Sequence, residues 1–145
     1  MPNFSRTVTV TSDIDSAFGF LSDFRNLEKW AEGDEGELIT KEPLRQGSVF
    51  KVKTHFNNKP REYNYEIIEW GPPLRVSLQA STSIFTIVDT IFLSANSKGT
   101  EITYSVDIKY KFPFFIFGIF VGTIFNKIMD KQIRNLEAVL GPVQE

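Results

Sequence analysis

One acidic side chain is a candidate for acid–base chemistry: Asp89, which lies inside the apolar run IFTIVDTIFL. Burial raises the pKa of a carboxyl group because it disfavours the charged form, so an acid in such a run can exchange protons near neutral pH. The alternative is an outward-facing carboxylate paired with a neighbouring strand. Alternation does not decide between the two, because both faces of the run are apolar, with Ile87 and Ile91 on the side of Asp89 and Val88 and Phe92 on the other.

Metal and thiol chemistry have little support. The chain has no cysteine, which excludes disulfides, thiolate metal sites and cysteine nucleophiles. Its single histidine, His55, shares a strand side with Lys51 and Lys53 and is expected to face solvent. No histidine or carboxylate cluster has a recognised ligand spacing, so the sequence predicts neither a metal nor a cofactor.

Tyrosine and tryptophan side chains are candidates for contact with a small molecule, because they combine an apolar ring with a polar group that can orient a ligand. Tyr63 and Tyr65 share one side of a strand, and Tyr104 alternates with polar residues in the last strand. Trp30 ends a short helical segment. Each of these residues also suits ordinary packing in a core, so both interpretations stay open.

Strands separated by short turns have to position these candidates. Alternation of apolar and polar residues, with turn residues between the runs, predicts an antiparallel sheet. Its seven strands are expected at Phe4–Thr11, Glu37–Lys41, Ser48–Phe56, Arg61–Trp70, Arg75–Ser81, Phe85–Ser94 and Thr100–Tyr110. After the first strand, helical spacing with a cap at Ser12 or Asp13 predicts one short helix, and Phe24, Leu27 and Trp30 predict a second.

A long helix is predicted from Pro113 to Leu140, before the stop Gly141-Pro142. At about 1.5 Å per residue it would be roughly 40 Å long, enough to cross a sheet diagonally. Its expected core stripe is Phe114, Phe117, Gly118, Val121, Phe125, Ile128, Met129, Leu136 and Val139, interrupted by Gln132, a polar residue that needs a partner.

Further apolar residues lie off this stripe at the start of the helix: Phe115, Ile116, Ile119 and Phe120. The apolar run is too short to cross a bilayer, which needs about 20 residues. Coverage by the short helices and loops, a homodimer contact, and transient contact with a membrane surface remain as explanations.

The order of elements and four junction motifs resemble the polyketide cyclase/dehydrase and lipid-transport group of the START-like (Bet v 1-like, SRPBCC) superfamily. The motifs are FRNLEKW at 24–30, GSVF at 47–50, EWGPPLRV at 69–76 and GTEITY at 99–104. The resemblance implies an α+β helix-grip fold, with a seven-stranded curved antiparallel sheet around a long C-terminal helix and two short helices after the first strand. It covers the chain as one domain, 1–145.

The resemblance also implies a cavity between sheet and helix that holds a hydrophobic ligand. On physical grounds a sheet curled over one helix encloses a tapered space, which is either packed solid or holds a ligand. The leading hypothesis is binding or transport of a lipid, isoprenoid or polyketide-like molecule. The alternative is an aromatase or cyclase acting on a polyketide-like substrate, with Asp89, a weak catalytic candidate, or a cavity tyrosine transferring protons. An interaction module resembling a co-chaperone or a quinone-pathway partner is a third. The predicted ligand contacts are Trp30, Phe50, Val52, Tyr63, Tyr65, Leu78, Phe92, Tyr104, Phe117, Val121, Phe125 and Gln132.

Charge and the N-terminal residues bear on partners and location. Sixteen basic and 18 acidic residues give a net charge of −2 without a long run of one sign, so nucleic acid is not an expected partner. The first residues, MPNFSR, do not form a basic segment followed by an apolar one, so a cytoplasmic protein is expected.

Overall fold

The computed structural model describes residues 3–31, 33–56 and 58–143, apart from the side chains of residues 56 and 117–120. The strands are β1 (Asn3–Val10), β2 (Glu35–Leu38), β3 (Val49–Phe56), β4 (Lys59–Gly71), β5 (Arg75–Ser81), β6 (Phe85–Asn96) and β7 (Gly99–Tyr110). The helices are α1 (Ile14–Leu21) and α2 (Phe117–Leu140), with 3₁₀ helices at Phe24–Lys29 and Phe114–Ile116.

All seven strands form one antiparallel sheet in the order β1-β7-β6-β5-β4-β3-β2. Short turns connect β3 through β7 as consecutive hairpins, as the turn residues predicted. The rings of Tyr63 on β4 and Phe85 on β6 approach to 5.7 Å although β5 lies between these strands. Strands two apart in a flat sheet are about 9.6 Å apart, so the inner side chains converge on a concave face. The predicted helix-grip fold is confirmed.

Capping side chains start the two short helices. The carboxylate of Asp13 accepts a hydrogen bond from the amide of Ser16 at 3.1 Å, which satisfies an orphan donor of α1. Asp23 does the same for the amide of Arg25 at 3.0 Å. The second short helix was predicted from Phe24, Leu27 and Trp30. It is a 3₁₀ helix, and it ends at Lys29, before Trp30.

The C-terminal end of α2 is fixed to the end of β1. Gly141 has a positive φ of 100°, and a Cβ at this position would lie 1.9 Å from Oγ1 of Thr11. The amide of Thr11 donates to the carbonyl of Gly141 at 2.8 Å, and the hydroxyl of Ser12 donates to the carbonyl of Leu140 at 2.6 Å. Glycine is required here because the two chain segments approach too closely for a side chain.

The predicted core stripe of α2 is correct only in part. Met129 and Leu136 are fully buried, but Val139 is 45% exposed and Leu140 is buried in its place. The bonds between the end of α2 and β1 turn Leu140 toward the sheet, and Val139 lies about 100° away around the helix. The prediction for Val139 was therefore wrong.

Candidate functional site

Asp89 points into the concave side of the sheet. It lies in the middle of β6, between Leu78 of β5 and Val106 of β7, and it shares its face with the buried Ile87 and Ile91. Only 5% of Asp89 is exposed. The outward-facing alternative is excluded.

The carboxylate of Asp89 is satisfied on one oxygen only. The hydroxyl of Tyr104 donates to Oδ2 of Asp89 at 2.9 Å. The other oxygen, Oδ1, is buried without a hydrogen-bond partner among the described residues. An unpartnered buried oxygen is costly, most of all when it carries charge.

Burial therefore governs protonation here. Burial raises the pKa of Asp89 to about 7, the hydrogen bond from Tyr104 lowers it, and the charge of Asp34 raises it. The pKa values of Tyr104 and Tyr65 are raised well above their ordinary value, first by burial and next by the charge of Asp89. Because Oδ2 already accepts a hydrogen bond, Oδ1 is the oxygen that is free to carry the proton of a neutral Asp89.

Aromatic rings close one end of the concave face above this carboxyl group. The Trp30 ring meets Tyr104 edge-on, with centroids 5.4 Å apart. Phe24 packs against Phe50 at 5.8 Å. Side-chain Nδ2 of Asn135 on α2 donates to the carbonyl of Trp30 at 3.1 Å, so the helix and the short helical segment are joined at this closed end.

The other end of the concave face is less well covered, and we call it the open end. It is formed by four inner-face side chains that are only partly buried: Tyr63, Phe85, Val121 and Phe125. Phe85 contacts both Tyr63 and the buried Tyr110, at 5.7 and 6.0 Å between centroids, and Phe125 of α2 contacts Phe4 of β1 at 4.9 Å. Apolar side chains at this end thus pack on the inner side of the sheet and α2 while remaining partly accessible to solvent.

The structure brings most of the predicted contacts to one face. The buried ones are Trp30, Phe50, Val52, Tyr65, Leu78 and Tyr104. The half-buried ones are Tyr63, Val121, Phe125 and Gln132. The side chain of Phe117 lies outside the described part of the chain. Contact of any of these residues with a ligand stays a prediction.

Phe92 is a correction. It is 40% exposed, and the guanidinium of Arg75 lies 4.8 Å from its ring centroid. Successive side chains of a strand point to opposite faces, so an inward Asp89 places Phe92 on the convex face. Phe92 therefore does not lie on the face of the sheet that α2 covers.

Two aromatic residues were not among the predicted contacts: Phe85 of the open end, and the buried Phe4, which contacts Phe125. Phe85 and Ile87 lie on the same face of β6 as Asp89, because every second residue of a strand shares a face. Phe85 could therefore have been predicted once the orientation of Asp89 was known. A separate groove of about 320 Å³ lies at the β3–β4 hairpin, and most of the residues that line it are of charged or polar types. It is lined by Gly33, Glu35, Lys53, Thr54, His55, Pro60, Arg61 and Glu62.

Sequence comparison places the chain in a family. The pattern of the polyketide cyclase/dehydrase and lipid transport family matches residues 1–141. The chain belongs to this family. No curated protein matches the chain. The match confirms the resemblance to the START-like superfamily drawn from the junction motifs.

Solved structures share the fold of this family member at low identity. A protein from Chromobacterium violaceum is 14% identical with a TM-score of 0.74, over 98% of this chain and 99% of that one. The di-domain ARO/CYC StfQ from the steffimycin biosynthetic pathway is 9% identical with a TM-score of 0.72, over 95% of this chain and 50% of that one. Ara h 8.0201 is 15% identical with a TM-score of 0.69, over 96% and 97%. In the described part of the present chain, no helix has the length and apolarity to cross a bilayer.

Proposed function

We propose that this protein binds an apolar small molecule, such as a lipid, isoprenoid or polyketide-like ring system, between the concave face of the sheet and α2. The observation that carries the proposal is the open end, where Tyr63, Phe85, Val121 and Phe125 pack against the core and are still partly accessible. Apolar walls with a few convergent polar groups are typical of small-molecule sites. The description of the family supports the same proposal.

Desolvation would supply most of the affinity. Apolar burial contributes about 25 cal/mol per Å², so roughly 200 Å² of ligand surface would contribute about 5 kcal/mol before the entropic cost of binding. Asp89, Gln132 and the inner-face tyrosines, such as Tyr104, supply polar groups that can orient the ligand. Orientation by one or two such groups adds specificity more than affinity.

A matched pair of phenylalanine variants tests this proposal. Phe125 lies on the inner side and Phe92 on the convex face, and both are partly accessible. Titration with an apolar fluorescent probe should give at least about tenfold weaker binding for Phe125→Ala, because contact area is lost, and wild-type binding for Phe92→Ala. Melting temperatures identify any variant that has unfolded. Equal binding by both variants, or no binding by the wild type, contradicts the proposal.

Asp89 is the reason to retain a second candidate function, a cyclase acting on a polyketide-like substrate. A carboxyl group with a pKa of about 7 and an unpartnered oxygen can give or take a proton near neutral pH. Asp89→Asn keeps the shape of the side chain but cannot transfer the proton. Loss of turnover in Asp89→Asn by about 10²–10⁴-fold, with probe binding intact, would establish the enzyme; the absence of turnover in the wild type favours the carrier.

A further inference from the structure

Four exposed apolar side chains stand beside the open end, and we call them the apolar rim. They are Ile84, Phe112, Phe115 and Ile116, which are 37, 82, 61 and 58% exposed. The rings of Phe112 and Phe115 are 6.2 Å apart. The amide of Lys111 donates to the carbonyl of Ile84 at 2.8 Å, so the β5–β6 turn and the segment before α2 form one continuous surface.

The apolar rim bears on the three explanations offered for the apolar start of the helix. Coverage by short helices and loops is wrong for Phe115 and Ile116, because both are exposed. The side chains of Ile119 and Phe120 lie outside the described residues. The remaining explanations for the rim are a homodimer contact and a contact with a membrane surface.

Cations accompany the rim. Lys109 and Lys111 flank Tyr110 at the end of β7, and Nζ of Lys111 donates to the carbonyl of Thr82 at 2.6 Å. Lys59 and Arg61 start β4 at the same end of the sheet. Segments 53–61, 82–86 and 109–116 contain no aspartate or glutamate, although the chain as a whole carries a net charge of −2. The segments next to the apolar rim thus carry cations without a carboxylate among them, and the acidic Glu35 and Glu62 at this end of the sheet pair in register with Lys53.

We propose that the apolar rim docks on an anionic lipid bilayer, with its side chains at the boundary between headgroups and acyl chains and with Lys109 and Lys111 near the lipid phosphates. Exposed aromatic and aliphatic residues combined with nearby cations are the features that hold a protein at such an interface. The open end would then face the bilayer. Loading of a ligand from the bilayer rests on the function proposed above, whereas docking itself does not.

Charge favours a bilayer over a second copy of the chain. A twofold contact through the apolar rim would bring the same patch of each copy together. Lys109 and Lys111 of one copy would then approach those of the other, and like charges at an interface oppose association. An anionic surface complements the same lysines.

A tryptophan reporter tests the location of docking. Phe112→Trp places a fluorophore in the apolar rim, and Leu74→Trp places one at a site 58% exposed in the β4–β5 turn, at the opposite end of the sheet. With vesicles of phosphatidylcholine and phosphatidylglycerol, emission should shift to the blue for Phe112→Trp only. With phosphatidylcholine alone the shift should be much smaller. A shift for both reporters or for neither contradicts the proposal.

Variants that lack side chains of the apolar rim test how much the rim contributes to vesicle binding. In vesicle flotation, Phe112→Ser/Phe115→Ser should bind anionic vesicles at least about tenfold more weakly than wild type, because two apolar contacts are lost. Lys109→Ala should bind about fivefold more weakly at low salt, and Leu74→Ser should bind as the wild type does. Unchanged binding by the double variant overturns the proposal, as does a wild-type dimer in sedimentation velocity that the double variant abolishes.

Probe binding without vesicles separates this proposal from the previous one. The double variant should bind an apolar fluorescent probe as the wild type does, because Phe112 and Phe115 lie outside the inner face. Wild-type probe binding without vesicle binding would refute docking alone. Vesicle binding without probe binding would refute the carrier alone.

Discussion

Replacing Asp89 with asparagine should remove a loss of stability that the wild type shows as the pH rises. The folded protein holds Asp89 with a pKa of about 7, whereas the ordinary value of an aspartate is 3.8. At a pH between these two pKa values, Asp89 keeps its proton in the folded state and releases it in the unfolded state. The free energy of unfolding of the wild type should therefore fall as pH rises from about 4 to about 7, by up to about 4 kcal/mol from this carboxyl group.

Asparagine carries no proton to lose. Its amide oxygen can accept the hydrogen bond from Tyr104, so the replacement keeps the contact that Oδ2 makes. The unfolding free energy of Asp89→Asn minus that of the wild type should therefore rise through the same pH window and level off above it. Below about pH 4 the two proteins differ only by packing and hydrogen bonding, because both side chains are neutral.

Urea denaturation at intervals between pH 4 and 8 measures this difference. All other titrating groups are present in both proteins, including Tyr65, Tyr104 and Asp34, which interact electrostatically with Asp89. Tyr104→Phe is a second probe, because it removes the hydrogen bond that lowers the pKa of Asp89 and should extend the fall in stability to higher pH. A difference between Asp89→Asn and wild type that stays constant to within about 1 kcal/mol would show that Asp89 is not buried in its neutral form.

Three further predictions concern stability and can be measured by urea denaturation. Gly141→Ala should destabilise the fold by at least about 1 kcal/mol, because its φ is positive and its Cβ would overlap Thr11, whereas Gly122→Ala, with open space around its Cβ, should stabilise α2 by about 0.5–1 kcal/mol. Trp30→Ala should cost about 3–5 kcal/mol because it empties a fully buried site; a cost below about 1 kcal/mol would contradict that packing. Arg6→Ala should cost no more than about 1 kcal/mol, since its ion pair with Asp130 is solvent-accessible.

The fold could be predicted from the sequence because its signals are local. Alternation along 100–110 and turn residues such as Asn96 and Gly99 depend on neighbours within a few positions. The junction motifs added the topology. Predicted strand boundaries differ from the observed ones by two or three residues at most. The predicted start of the long helix at Pro113 was wrong, because α2 begins at Phe117 after the 3₁₀ helix Phe114–Ile116, and the second short helix is also a 3₁₀ helix, Phe24–Lys29.

The candidate site was less accessible from the sequence. Asp89 was identified from its apolar surroundings, but its orientation was left open because both faces of β6 carry apolar residues. Pairing with β5 and β7 and the curvature of the sheet decide that orientation. The same contacts place Phe92 on the convex face, where the guanidinium of Arg75 lies over its ring.

The sequence by itself determined which segments are strands and helices, which residue types are available for chemistry, and that the start of α2 is unusually apolar. Tertiary structure alone decided that Asp89 meets Tyr104, that Leu140 rather than Val139 faces the core, and that Phe115 remains exposed. The physical reason is distance along the chain. Local patterns act between neighbouring residues, whereas burial depends on which remote segments pack together, and no local pattern encodes that packing.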